Sequence, residues 1–159
     1  MIIELTDLAV RLGEKATKHF AEGYNCAQSV LLTMAEHWKW QDELIPKVAC
    51  TFGGGMGRCG SVCGAVTGGL MAIGIKCGTN EPPSKSAEKS THAYKLAETF
   101  FRQFQKQNGS VTCRDLIGLD LSDPTQLKKA RDERVFDKEC SPLLKSAIEI
   151  LISLDLDTV

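Results

Sequence analysis

Cysteine is the residue type in this 159-residue chain with the widest chemistry, and it occurs seven times, at Cys26, Cys50, Cys59, Cys63, Cys77, Cys113 and Cys140. As a thiolate it ligates soft metals and iron–sulfur clusters, attacks electrophiles and exchanges with disulfides. An odd number speaks against a secreted disulfide framework. So does the start "MIIELTDLAVRLGEK", which carries acids and lacks a basic region followed by an apolar one. The expected location is therefore cytoplasmic. In a reducing compartment, many thiols mean metal or redox chemistry, or else several small buried hydrophobes.

Four of the seven stand in or beside the first turn of an expected helix. Cys26 follows Asn25, an N-cap residue with Gln28 three positions on. Cys113 follows Thr112 in "TCRD", a box of the form Thr-x-x-Asp, and Cys140 precedes the N-cap candidate Ser141. Cys63 lies two residues after Ser61, the expected start of a glycine-rich helix. Unpaired N–H groups and the helix dipole put about half an elementary charge of positive potential at such ends. Thiolates are stabilised there, so at least one of these four thiols is expected to titrate below the ordinary value. If the four ends converge, Cys26, Cys63, Cys113 and Cys140 form one site for redox chemistry or for a metal. The bland alternative is four caps with neighbouring cysteines in separate places.

Cys59 is less determined. It lies four residues before Cys63 and could join it on one metal, or it could lie exposed beside Arg58, which would lower its pKa. Cys50 and Cys77 read as buried small residues. No spacing matches the Cys-x-x-Cys of zinc ribbons or thioredoxin-like sites. His19, His37 and His92 read as structural, and Trp38 and Trp40 as a packing or association feature, with a homodimer one form of the latter. The run "KKARDERVFDKE" reads as a solvated helix face.

"GGGMGRCGSVCGAVTGG" formally contains the glycine spacing of a dinucleotide fingerprint. That fingerprint requires a strand before it and a second strand after it, and the P-loop lysine is missing too, so no nucleotide is expected. Gly53, Gly54 and Gly55 instead allow a tight turn, and Gly60, Gly64, Gly68 and Ala72 recur every fourth residue as a stripe for close helix packing.

The elements that must position these residues are helical. Leu5, Leu8, Leu12, Ala16 and Phe20 give the first helix one apolar stripe, with Gly23 at its end. "NCAQSVLLTMAEHW" is the second helix and "DELIPKVACTF" a short turn of helix. Ser61 to about Lys76 is apolar all round and should be central. A long amphipathic helix then places Ala87, Tyr94, Ala97, Phe101 and Phe104 on one side and ends at Asn108-Gly109. Short helices from "TCRD" and "DPTQLKKARDERV" precede a last one, "SPLLKSAIEILISL". No alternating strands and no linker appear, so residues 1–159 read as a single all-α domain. A net charge of −1 argues against nucleic acid or an anionic membrane as partner. The longest apolar run, Val62 to Ile75, is too short to span a bilayer.

At these residues the chain resembles the C_GCAxxG_C_C family, whose cysteines mark it as redox-active. The likeness uses "YNCAQSVL", "CGAVTG", "CRDL" and the late Cys140, and covers nearly the whole chain. It implies that Cys26, Cys63, Cys113 and Cys140 are the four signature cysteines, with Cys50, Cys59 and Cys77 extra to the pattern. Family members often sit near transporter genes, which implies a redox partner linked to transport. A more distant similarity to the cluster-bearing part of split-Soret cytochromes implies an iron–sulfur centre, while covalent haem is not implied because Cys-x-x-Cys-His is absent. Cluster ligation and thiol/disulfide exchange both fit the four cysteines. The rivals are an all-cysteine zinc module that stabilises the fold, and a helical interaction protein whose cysteines only pack.

Overall fold

Helix α1 (Ile2–Ala21) turns its Leu12 and Ala16 inward and ends at Gly23, whose φ of 107° suits only glycine. The computed structural model describes residues 1–157. α2 (Cys26–His37) begins with a complete capping box: Gln28 N–H donates to Asn25 Oδ1 at 3.0 Å, and Asn25 N–H to Gln28 Oε1 at 3.0 Å. α3 (Leu44–Ala49) holds Pro46 in its first turn and runs into a 3₁₀ turn, Cys50–Phe52. α4 (Gly64–Cys77), α5 (Pro83–Asn108), α6 (Cys113–Ile117), α7 (Pro124–Asp132) and α8 (Ser141–Ser153) complete an all-α bundle without strands among the described residues. No described helix is long and apolar enough to cross a membrane.

α4 is the central element, as its composition predicts, and packs against α2, α5 and α8, while α1 lies along α8. Its stripe is real but shorter than the sequence suggests. The helix starts at Gly64, because residues 61–63 are drawn into extended pairing with residues 111–113. Gly60 therefore belongs to the loop. A Cβ at Gly68 would sit 2.5 Å from the Ala27 carbonyl oxygen, so α2 and α4 touch backbone to backbone. Gly69 gives the same freedom to Phe100 of α5.

The loop before α4 is a run of five left-handed residues, Gly54, Gly55, Met56, Gly57 and Arg58, with φ between 62° and 75°. For Met56 and Arg58 this backbone costs on the order of 1–2 kcal/mol each. Bonds that return to the chain before it fix the run: Gly57 N–H donates to Thr51 O at 2.7 Å and Arg58 N–H to Gly53 O at 3.0 Å. Ser61 N–H then donates to Gly55 O at 2.9 Å, which leads the chain out toward Cys63.

Three local expectations are corrected. Tyr94 is 76% exposed; Phe104 is buried as expected, and Phe100, outside the expected stripe, is buried with it. Thr112 caps α6 by position without a side-chain bond; Ser110 accepts from Thr112 N–H and donates to Asp115, so the Thr-x-x-Asp box is not formed. Ser141 is already inside α8 and is not its N-cap, because a π-helical turn, Phe136–Cys140, feeds straight into the helix.

Candidate functional site

Four distant segments bring their cysteines to one cavity. Cys26 enters as the first residue of α2, fixed by the Asn25 cap. Asn25 also donates its Nδ2 to the carbonyls of Cys50 at 2.7 Å and Ala49 at 3.3 Å, which ties the start of α2 to the 3₁₀ turn. Cys63 is the N-cap of α4. Gly64 beside it has no room for a side chain: its Cβ would lie 2.8 Å from that of Cys26. This close approach brings the starts of α2 and α4 together.

Cys113 opens α6 and is clipped to Cys63 through backbone. Cys63 N–H donates to Val111 O, and Cys113 N–H to Ser61 O, each at 2.7 Å, around the antiparallel pair Val62 and Thr112. Gly55 of the left-handed loop packs on Cys113, where a Cβ would come within 2.6 Å of the cysteine Cβ. Cys140 ends the π-helical turn and leads into α8. Such turns insert a residue into the helical register.

The cavity they line, of about 440 Å³, also takes Phe20, Leu127, Phe136, Cys50, Arg58 and Arg131 into its wall. Cys63, Cys113 and Cys140 are buried, and Cys26 is half-buried. All seven cysteines are free thiols. The neighbouring Cys140 thiol raises the Cys26 pKa most; burial and charge on Cys140, Cys63 and Cys113 raise it further. Burial pushes Cys113 up to about 12, reinforced by charge on Cys63 and Cys140. Burial likewise pushes Cys63 up to about 11, although the nearby backbone N–H groups of Ala65 and Val66 pull the other way.

The expected lowering of thiol pKa is thus reversed at these three positions. The helix-end donors exist, as Cys63 shows, but removing a thiolate from water costs more than two N–H groups return. Mutual repulsion within the group adds to that cost.

The remaining cysteines divide differently from expectation. Cys77 is buried as expected, its thiol donating to Leu156 O at 3.4 Å. Cys50 is exposed, contrary to expectation, because the 3₁₀ turn carries it outward at the cavity wall. Cys59 is exposed in the loop with its thiol toward Gly57 O at 3.7 Å, and it does not line the cavity. With α4 starting only at Gly64, Cys59 and Cys63 do not share a helix face. His19, His37 and His92 also lie outside the cavity wall. Sequence reasoning missed Cys50 and Arg131 as wall residues; the first was hidden by the apolar pattern of "KVACTF", the second by a run of surface charges.

The four cysteines share the wall of one cavity. Among the described residues, no three Cys, His, Asp or Glu side chains are grouped to hold a single metal ion. A closed tetrahedral zinc site would require four sulfurs each about 2.3 Å from one ion. The four cysteines offer an all-thiol and therefore soft donor set, the donor chemistry of iron–sulfur groups.

Residues 24–154 match the family described as "Putative redox-active protein (C_GCAxxG_C_C)", and the chain belongs to that family. It is also 28% identical over 138 residues to an uncharacterized protein of Archaeoglobus fulgidus, a match covering 83% of this chain and 85% of the relative. No solved structure matches the chain significantly.

Proposed function

We propose that this member of the C_GCAxxG_C_C family is an electron-transfer protein in which Cys26, Cys63, Cys113 and Cys140 hold an iron–sulfur cluster. The observation that carries the reading is the lining of one cavity by four thiols from separate segments, three of them with pKa values raised by burial and by one another. Four thiolates gathered in an apolar space repel unless positive charge lies between them, and binding iron would displace their protons. When bound, a cluster supplies one-electron transfer. The chain's own part is to hold the sulfurs, to tune Cys63 through the Ala65 and Val66 N–H groups, and to keep water away with Phe20, Leu127 and Phe136.

A second reading rests on the pairing of Cys26 with Cys140, the neighbour that raises its pKa most. Here the two thiols give up two protons and two electrons to an external disulfide and become a disulfide themselves. The first attack needs a thiolate, and the raised pKa of Cys26 works against it near neutral pH.

Anaerobic incubation with ferrous iron and sulfide, followed by desalting, tests the two. The cluster reading expects a visible chromophore that stays with the protein. It should be lost or altered by Cys→Ser at positions 26, 63, 113 and 140, and kept by Cys59→Ser and Cys77→Ser. A protein that stays colourless, yet loses two titratable thiols on oxidation unless Cys26 or Cys140 is replaced, supports the dithiol reading instead.

A further inference from the structure

The cavity runs from a thiol floor to a cationic mouth. Cys63, Cys113 and Cys140 are buried, whereas Cys50, Arg58 and Arg131 of the same wall are exposed. No Asp or Glu lines it. Arg102, Arg114 and Arg134 each reach a carboxylate, at Glu98, Asp120 and Asp137. Among the described residues, Arg58 and Arg131 make no such pair.

Arg58 also has an unusual backbone. Its φ is 62°, a backbone that glycine adopts without penalty and that Gly54, Gly55 and Gly57 beside it use. Strained backbone of this kind clusters at ligand clamps and active sites, and of the non-glycine residues that carry it here, Lys39, Met56, Arg58 and Arg134, Arg58 is the one in the cavity wall. A guanidinium presents a planar fork that matches an oxyanion, and two of them over a partly apolar space attract and orient an anion.

We infer that the cavity binds a small organic anion, with its carboxylate or similar oxyanion group at Arg58 and Arg131. A short apolar body then lies on Phe20, Leu127 and Phe136, above the thiols. A volume of about 440 Å³ admits a small metabolite and excludes a folded partner. This deepens the redox reading by assigning the site a small anionic reactant, and its test uses Cys50, which lies outside the four-cysteine set.

Alkylation of Cys50 in the folded 159-residue chain by iodoacetate and by iodoacetamide compares an anionic with a neutral reagent of the same reaction. At low salt, the iodoacetate-to-iodoacetamide rate ratio at Cys50 should exceed that of the urea-unfolded chain severalfold. Arg131→Gln should lower it, and the double variant with Arg58→Gln should bring it to the unfolded value. Arg58→Gly should lower it too while unfolding at no less urea, because glycine is at ease at this φ, so a folding defect cannot account for the loss. Hexanoate should slow Cys50 labelling, and sulfate at equal ionic strength should do so much less. A ratio unchanged by folding or by the arginine variants overturns the inference, as does equal protection by sulfate. Failure here leaves cluster reconstitution unaffected, and failed reconstitution leaves this result intact.

Discussion

Adding one methyl group at Gly64 or Gly68 should destabilise the protein, although alanine is the better helix former. In the interior of a helix, Gly→Ala is favourable by up to about 1 kcal/mol. Against that, the new carbon at position 68 would lie 2.5 Å from the Ala27 oxygen and 3.0 Å from its Cα, both backbone atoms of α2. At position 64 it would lie 2.8 Å from Cys26 Cβ and 2.9 Å from Ala27 N. Neither neighbour can rotate away, so α2 must shift, and overpacking of this kind costs roughly 1–3 kcal/mol. Overpacking exceeds propensity over most of that range, and Leu at either position should cost more still. Gly74 is the internal control: it is on the same helix, is exposed, and has nothing within 4 Å of its Cβ position. Gly74→Ala should therefore raise stability by about 0.5–1 kcal/mol. Urea unfolding of the unloaded protein, compared by midpoint at constant slope, reads all three. Equal stabilisation by alanine at 64, 68 and 74 would refute the close-packing account. The shift should also reach the site, since Gly64→Ala pushes on Cys26 itself and should weaken cluster retention more than Gly68→Ala does.

Stability of the unloaded protein should fall as pH rises above about 9, the ordinary thiol value, toward 11 and 12, where Cys63 and Cys113 titrate in the fold. The sign follows from linkage: a folded pKa above the unfolded one means that the folded state holds its proton longer, so its stability is intact below the unfolded value and is lost above it. Urea midpoints across that range should slope down, and Cys63→Ser with Cys113→Ser should flatten the slope; a flat wild-type profile would contradict the burial argument. Asn25→Ala should cost about 1–2 kcal/mol through the lost cap. Asn25→Asp keeps the cap acceptor but gives up the bonds to the Cys50 and Ala49 carbonyls, so its unfolding midpoint should fall between wild type and the alanine variant.

Local signals account for what the sequence made legible. Asn25 and Gln28 announce a capping box, and the box places Cys26 where it is found. The small-residue stripe of α4 marks the central helix, and the cysteine positions near helix starts identify four of the five that line the cavity. Long-range effects stayed hidden. The pairing of residues 61–63 with 111–113 moves the start of α4, and nothing near Ser61 signals a partner fifty positions away. Helix ends suggest where thiols are favoured as anions, whereas burial, which reversed that tendency, emerges only when α2, α4, α6 and α8 close over the cavity. The π-helical turn that carries Cys140 and the left-handed backbone of Arg58 likewise depend on contacts that no short window contains.

The backbone clip around Val62 and Thr112 also bears on the order in which the site is built. It joins Cys63 to Cys113 as one rigid half, and it can form once α4 and α5 have folded back on each other. The other half, Cys26 with Cys140, spans most of the chain and awaits α8. During synthesis the four thiols therefore cannot meet until α8 has left the ribosome, because folding contacts follow emergence. Until then Cys26, Cys63 and Cys113 are exposed to stray oxidants and metals in a nascent chain. Any iron–sulfur loading that needs all four thiols would have to wait for α8.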